Sequence, residues 1–269
     1  MAQVWGMINA LQLFTQLPLF EVNFPELSTL MVTSLITIAT FDILPADDIY
    51  AATLETPDDD GQEDEQFDEI GFGSNYMILN LGTMFISLVI ILATPVCIFM
   101  TKPCGKCSNT LKKSQESTMK SMKGNVFIRY LIEGFLDISI CASLNYIYET
   151  ESAGGFKFDT TFHTVNNIAF FVLTIAIVVL PFWSIIFYCK HFEKWGDDEF
   201  QEKYGAIFEG LDLKKKTIFQ RLGALAVAKK KKKINTNKRS ALAYPIIFMA
   251  RRLFLVLMVT VLREYLFFQ

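Results

Sequence analysis

Residues 164–188, TVNNIAFFVLTIAIVVLPFWSIIFY, form an apolar run of 25 residues without a charged side chain. A helix needs about 20 such residues to cross the apolar core of a bilayer. A second run of the same length occupies residues 76–100, YMILNLGTMFISLVIILATPVCIFM. Uncharged buried helices of this length are rare in soluble proteins, and 52% of the chain is hydrophobic, with a mean hydropathy of +0.32. Both runs therefore predict membrane-spanning helices.

Weaker apolar runs flank these two and complete the predicted fold. They occupy residues 2–20, 27–44, 126–148 and 242–262. The run 27–44 is short and ends at Asp42 and Pro45, so it either spans or re-enters the membrane. Residues 1–20 lack the pattern of a secretory signal peptide. We therefore expect residues 1–269 to form a single transmembrane domain, an all-α polytopic helical bundle with five or six spans.

The charges of the connecting segments predict the orientation, because loops rich in Lys and Arg stay in the cytosol. The segment 45–75 contains eleven carboxylates and no Lys or Arg. By contrast, the segment 101–125 has six Lys and one Glu, and 190–240 has fourteen Lys or Arg against seven acids. We therefore expect 45–75 to be an acidic extracytosolic loop, and 101–125 and 190–240 to be basic cytosolic segments.

One predicted span carries polar side chains at steps of four, which keeps them near one helix face. These are Arg129, Glu133, Asp137, Cys141 and Asn145, called here the polar stripe. Asp137 is about 16 Å, at 1.5 Å per residue, from the predicted cytosolic end of the span and so near the middle of the bilayer. A charge at that depth must face protein or water.

Two interpretations of the polar stripe remain open. In the first it packs inside the bundle, with Arg129 and Glu133 as an i,i+4 pair and Asp137 hydrogen-bonded or protonated. The partners then come from polar residues of other predicted spans: Gln12, Gln16, Asn80, Asn166 and Asn167. In the second interpretation, Arg129, Glu133, Asp137 and Asn145 line a hydrated path for a cation or a proton.

Other side chains give no catalytic or metal-binding signature. The chain has two histidines, His163 and His191, which we interpret as polar ends of spans. Cys104 and Cys107 have the spacing of half a zinc site, but a second such pair is missing, so reduced or acylated thiols are the favoured interpretation. Glycine-rich phosphate loops and nucleophile elbows are absent from the sequence. We therefore expect no enzyme activity, no metal and no cofactor.

Basic residues near the predicted cytosolic face point to the membrane surface. A run of five lysines is either solvated or in contact with anionic lipid, and it consists of Lys229, Lys230, Lys231, Lys232 and Lys233. Arg251 and Arg252 lie near the start of the last predicted span. We expect both side chains to snorkel to the interface, with binding of lipid phosphate as the alternative.

Four stretches carry a resemblance to a known family. They are VWGMINALQLFTQLPLFEVNFP (4–25), ATFDILPADDI (39–49), EKYGAIFEGL (202–211) and YPIIFMARRL (244–253). Together they resemble the membrane domain of large ciliate surface proteins with cysteine-rich, growth-factor-receptor-like repeats outside the cell. That domain is similar to the C-terminal region of transient receptor potential (TRP) channels. The resemblance implies a TRP-like helical membrane domain, although no cysteine-rich repeats precede residue 1, which suggests a shortened paralogue or a fragment.

The first functional hypothesis is a TRP-like, channel-related module that transports cations along the polar stripe. The alternative is a non-conducting membrane anchor or receptor and interaction module, or a truncated paralogue without transport activity. Membrane lipids and a second chain, identical or different, are the expected partners, and nucleic acid is not. We expect the protein to reside in the plasma membrane or a vesicular membrane.

Overall fold

The structure is a computed structural model of the chain. It describes residues 10–20, 25–40, 44–57, 67–68, 70–101, 113, 115–119, 125–191, 200, 204 and 244–260. These residues are mostly helical and contain no strand, so the predicted all-α class is confirmed.

Eight α-helices are numbered here in chain order. They are α1 (Glu26–Thr40), α2 (Ala46–Thr53), α3 (Met77–Leu81), α4 (Thr83–Thr101), α5 (Asn125–Glu133), α6 (Phe135–Ile147), α7 (Thr161–His191) and α8 (Tyr244–Thr260). Residues 10–15 are also helical and lead into a 3-10 turn at Leu17–Phe20. A π-helical turn, Tyr148–Ser152, continues α6.

Helix α6 lies at the centre of the bundle, in contact with α3, α7 and α8. Ten of its 13 residues are buried, including Phe135, Leu136 and Ile138. A helix that is apolar on all sides is typical of a bundle core. The polar residues of α6 therefore lie inside protein as well.

The first strongly apolar run is not one continuous helix, contrary to the prediction for residues 76–100. Gly82 separates α3 from α4, with φ +46° and ψ −123°, a conformation that only glycine adopts readily. Its carbonyl oxygen accepts a hydrogen bond from the Tyr50 hydroxyl at 2.7 Å. After this break, the part of the run that is long enough to cross a membrane is α4, with 19 residues.

Residues of the predicted span 126–148 form two helices, α5 and α6, which are joined at Gly134, and their crossing of a membrane stays a prediction. The Gly134 N–H still donates to the carbonyl of Tyr130 at 2.9 Å, so the helical direction continues across the joint. A Cβ atom on Gly134 would lie 2.3 Å from Cε of Met84 in α4. The Met84 side chain, whose flexible end lies over Gly134, would therefore have to move aside for a larger residue at this joint.

Two helices of the described residues, α4 and α7, are long and apolar enough to cross a membrane. Helix α1 has 15 residues, about 22 Å at 1.5 Å per residue, and α8 has 17. The number of five or six spans therefore stays a prediction. Much of 101–125 and most of 190–240 lie outside the described residues.

Candidate functional site

Asp137 of the polar stripe lies inside the bundle, where 5% of its surface is exposed. The first helical segment, residues 10–15, brings Gln12 against it. The Gln12 side-chain amide donates from Nε2 to Oδ2 of Asp137 at 3.1 Å. Gln12 was one of the predicted partners, and no other hydrogen bond reaches this carboxylate from the described residues.

Arg252 of α8 is also buried, with no exposed surface. Its guanidinium donates to Oε1 of Gln12 at 3.1 Å and to the backbone carbonyls of Glu133 at 3.2 Å and Ile132 at 3.4 Å. The guanidinium also lies 4.2 Å from the ring centre of Phe248, a cation–π distance. The prediction that Arg252 snorkels to the interface is therefore wrong.

The physical reason lies in how α8 packs. Phe248, Met249, Arg252, Val256 and Val259 are all buried at helical spacing, so position 252 faces α6. The carbonyls of Ile132 and Glu133 belong to the last turn of α5, where backbone oxygens have spare acceptor capacity. Arg251, one position earlier, is exposed, and its snorkelling to the interface stays a prediction.

Gln12 thus joins two buried groups of opposite charge. Its amide oxygen accepts from Arg252, and its amide nitrogen donates to Asp137. We call these three side chains, with the carbonyls of Ile132 and Glu133, the buried polar network. A buried guanidinium is costly unless opposite charge and acceptors surround it, and this arrangement provides both.

The remaining members of the polar stripe lie in separate environments. Arg129 and Glu133 form the predicted i,i+4 pair at 3.8 Å, with side chains that are 36% and 24% exposed. Asn145 is fully buried at the other end of α6. Its Oδ1 accepts hydrogen bonds from the backbone N–H of Met77 at 3.2 Å and from Nδ2 of Asn166 at 2.8 Å.

Two asparagine side chains therefore cap the short helix α3. Oδ1 of Asn166 accepts a hydrogen bond from the backbone N–H of Ile78 at 3.2 Å. The preceding N–H, that of Met77, donates to Oδ1 of Asn145. The first N–H groups of a helix lack partners within it, and here neighbouring helices supply them. Asn167 instead donates to the carbonyl of Lys157, and Asn80 pairs with Ser74. The role of Asn145 in this structure is to hold α3.

A cavity of about 330 Å³ reaches Asp137 from the surface. We call it the outer cavity, because its mouth includes residues of the segment 45–75. Among its lining residues, Asp47 and Asp68 are exposed and Asp137 is buried, from which we infer that the first two lie at the mouth and Asp137 at the inner end. The other lining residues are Ala46, Gly71, Phe72, Gly73, Ser74, Leu79, Asn80, Leu81, Gly82 and Met84.

Glu149 is a buried acid at the end of α6 that the sequence did not single out. Only 1% of it is exposed, and its Oε2 has no hydrogen-bond partner among the described residues. Burial raises the pKa of the Glu149 carboxyl above its usual value, against a smaller lowering effect of the nearby Lys157 charge. Its negative form is therefore disfavoured in the folded protein.

Several predicted features are not brought together by the described part of the chain. The run from Lys229 to Lys233 and the pair Cys104 and Cys107 lie outside it. Cys97 and Cys189 are exposed, and Cys141 of the stripe is buried. The described residues contain no group of three or more His, Cys, Asp or Glu placed to hold a metal ion.

No protein family model matches this chain, and no curated protein or solved structure is detectably similar to it. The TRP-like resemblance therefore depends on the four sequence stretches alone. We therefore infer the function from the geometry of the buried polar network and of the outer cavity.

Proposed function

We propose that this chain is an integral membrane protein, a TRP-like, channel-related module that acts as a receptor and does not itself conduct ions. The membrane location is supported by the surfaces of α4 and α7. Within the most apolar windows of these helices, 17% and 28% of the residues are buried inside the protein. A core helix of a soluble protein would be mostly buried, so these exposed apolar faces favour an apolar surrounding such as lipid.

The exposed side chains of α7 are large and apolar over several turns. They include Ile168, Phe171, Val172, Ile175, Val178, Val179, Phe182, Ile185 and Ile186. In water such a patch would drive aggregation. In a bilayer the same side chains contact acyl chains.

The observation that carries the non-conducting role is the burial of Arg252 in the buried polar network. A cation that moves inward past Asp137 would meet a fixed guanidinium in a region of low dielectric. At about 8 Å and an effective dielectric constant of about 20, two like charges repel by about 2 kcal/mol. The polar stripe also divides into separate contacts, since Asn145 caps α3 and Arg129 pairs with Glu133. These features favour the structural interpretation of the stripe.

Cation transport is the second candidate, and the outer cavity is the observation that favours it. Three carboxylates line this cavity between the surface and the interior: Asp47, Asp68 and Asp137. A permeating cation would bind to these carboxylates one after another if Arg252 moved away. We also propose that the five lysines 229–233 contact anionic lipid. Assembly with a second chain is part of the same proposal.

Ion flux through the purified full-length chain in liposomes tests the choice between these candidates. We expect no calcium or monovalent flux above that of empty liposomes. Flux that disappears in Asp137→Asn but persists in Asp48→Asn, an exposed acid that does not line the cavity, would overturn the non-conducting role. Correct folding of each variant is checked by its thermal unfolding midpoint.

Membrane insertion and orientation need a separate test. A single cysteine replacing exposed Asp159, in a variant without other cysteines, should react with an impermeant maleimide added outside the cell. Native Cys189 as the single cysteine should react only after the membrane is permeabilised. Reaction of both cysteines from the same side would contradict the proposed placement of α7.

A further inference from the structure

The outer cavity has the size of a small-molecule site. Its volume of about 330 Å³ falls within the range of about 300–1,000 Å³ that is usual for ligand pockets. A single metal ion would leave most of this space empty. The volume therefore suits an organic molecule of several heavy atoms.

The charge of the cavity is negative at both ends. Asp47 and Asp68 lie at the exposed mouth, and Asp137 lies at the inner end. The Asp137 carboxylate can accept about four hydrogen bonds, and the described residues supply one, from Gln12 to Oδ2. Since Asp137 is 95% buried and lines the cavity, its remaining acceptor capacity is available to a ligand there.

Arg252 offsets the charge of Asp137 in part but does not reverse the charge of the cavity. It is not among the lining residues, and its donors are directed to Gln12, Ile132 and Glu133. Three carboxylates against one guanidinium leave the surroundings of the cavity negative. A cationic ligand is therefore favoured over an anionic one.

The walls between the two acidic ends combine polar and apolar surface and are held in place by hydrogen bonds. Phe72, Leu79 and Met84 contribute apolar or aromatic surface. The Asn80 side chain bonds to the backbone of Ser74 through both its oxygen and its nitrogen, which fixes the loop above α3. Apolar surface beside a few convergent polar groups is a combination that ligand sites use to hold a molecule with one charged end and an apolar body.

We propose that the outer cavity binds a small organic cation, an amine with an apolar body, with its ammonium group on Asp137. The ligand enters from the side of Asp47 and Asp68, which concentrate cations at the mouth. This inference rests on the proposed receptor role of the module. A metal ion fits less well, because the described residues do not place three His, Cys, Asp or Glu side chains around one point.

The test is calorimetric titration of the full chain in nanodiscs with phenethylammonium chloride. The matched neutral probe is 2-phenylethanol, which has a similar shape and no charge. We expect the ammonium to bind at least tenfold more tightly than the alcohol. Binding should weaken as salt is added, because charge–charge attraction is screened.

Matched acid variants locate the bound cation. Asp137→Asn should weaken phenethylammonium at least tenfold and weaken 2-phenylethanol much less, because only the ammonium loses a charge–charge attraction. Asp47→Asn should weaken it a few-fold, while the neighbouring Asp48→Asn should have no effect, because Asp48 does not line the cavity. If Asp137→Asn fails to fold, the double variant Asp47→Asn/Asp68→Asn provides the same comparison at the mouth.

Three results would overturn the inference. These are equal affinities for the ammonium and the alcohol, equal losses in Asp47→Asn and Asp48→Asn, and competition by micromolar calcium chloride, which would make the site one for a metal ion. The proposed function fails separately, through ion flux or wrong-sided cysteine labelling. A correctly inserted, non-conducting chain that binds neither probe refutes the ligand site alone.

Discussion

Replacing Arg252 with methionine should destabilise the bundle strongly, because methionine has similar length but cannot donate hydrogen bonds. The substitution removes three hydrogen bonds of the guanidinium, to Gln12, Ile132 and Glu133. It also leaves Asp137 buried without the nearby positive charge. Arg251→Met, one position earlier on an exposed face, is the matched control.

The magnitude follows from two independent estimates. Hydrogen bonds between membrane helices contribute about 0.6 kcal/mol on average and up to about 1.7 kcal/mol, so three of them give about 2–5 kcal/mol. Removing one partner from a buried charge pair costs about 3–5 kcal/mol. We therefore expect Arg252→Met to lower the free energy of unfolding by about 3–4 kcal/mol, and Arg251→Met to change it by less than about 0.5 kcal/mol.

Thermal unfolding of the full chain in one detergent, followed by the loss of the monodisperse chromatographic peak, measures both variants. At about 2–4 °C per kcal/mol, the Arg252→Met midpoint should fall by about 10 °C. The double variant Arg252→Met/Asp137→Asn should lose less stability than the sum of the single variants, with a coupling of at least about 0.5 kcal/mol. Equal midpoints for Arg251→Met and Arg252→Met, or strict additivity in the double variant, would refute the buried polar network.

The same unfolding measurement checks three further predictions. Burial raises the pKa of Glu149 in the folded state above its value in the unfolded chain, which is about 4.3. The folded protein therefore gains stability from protonated Glu149 at a pH below the unfolded pKa, and it loses that stability as the pH rises through the folded pKa. Glu149→Gln should therefore be more stable than the wild type at pH 7.5 but equal to it at pH 4, and a constant difference would contradict this. Gly82→Ala should cost about 1–3 kcal/mol, since alanine is strained at its positive φ, and an unchanged midpoint would argue against the helix break. Asn145→Ala should cost about 0.5–2 kcal/mol by uncapping α3, whereas Ser143→Ala on the same helix should cost less.

The sequence identified the polar stripe and part of its surroundings. A step of four residues is a property of one helix, so the pair of Arg129 and Glu133 followed from the sequence alone. Gln12 and Asn166 were also expected as partners, because few polar residues lie in the predicted spans. Polar residues are rare inside predicted spans, so few residues remain as candidate partners of the polar stripe.

The burial of Arg252 does not follow from its position near the start of an apolar run, because long basic side chains at such positions commonly snorkel to the interface. The burial of Phe248, Met249, Val256 and Val259 gives a spacing that already points position 252 inward. That pattern is visible in the sequence only when the whole run is aligned on one helical face. A charged side chain on such a buried helical face needs a partner on another helix.

The Gly82 break and the outer cavity depend on contacts that no local pattern contains. Glycine is common in membrane helices, so residue 82 alone does not signal a break. The conformation coincides with a hydrogen bond from Tyr50, 32 positions away. The cavity likewise needs residues 46–47, 68–74 and 137 side by side, which is a property of the assembled fold.

The buried polar network also constrains the order in which the bundle assembles. Gln12 and Asp137 are 125 positions apart in the chain, and Gln12 and Arg252 are 240 apart. A ribosome therefore synthesises Gln12 and Asp137 well before Arg252, whose guanidinium completes their contacts. Until α8 arrives, the acid on α6 lacks its compensating charge, and the partly made bundle is the state most exposed to misassembly and degradation. Closure of the network by α8 is then the step that commits the chain to its final packing.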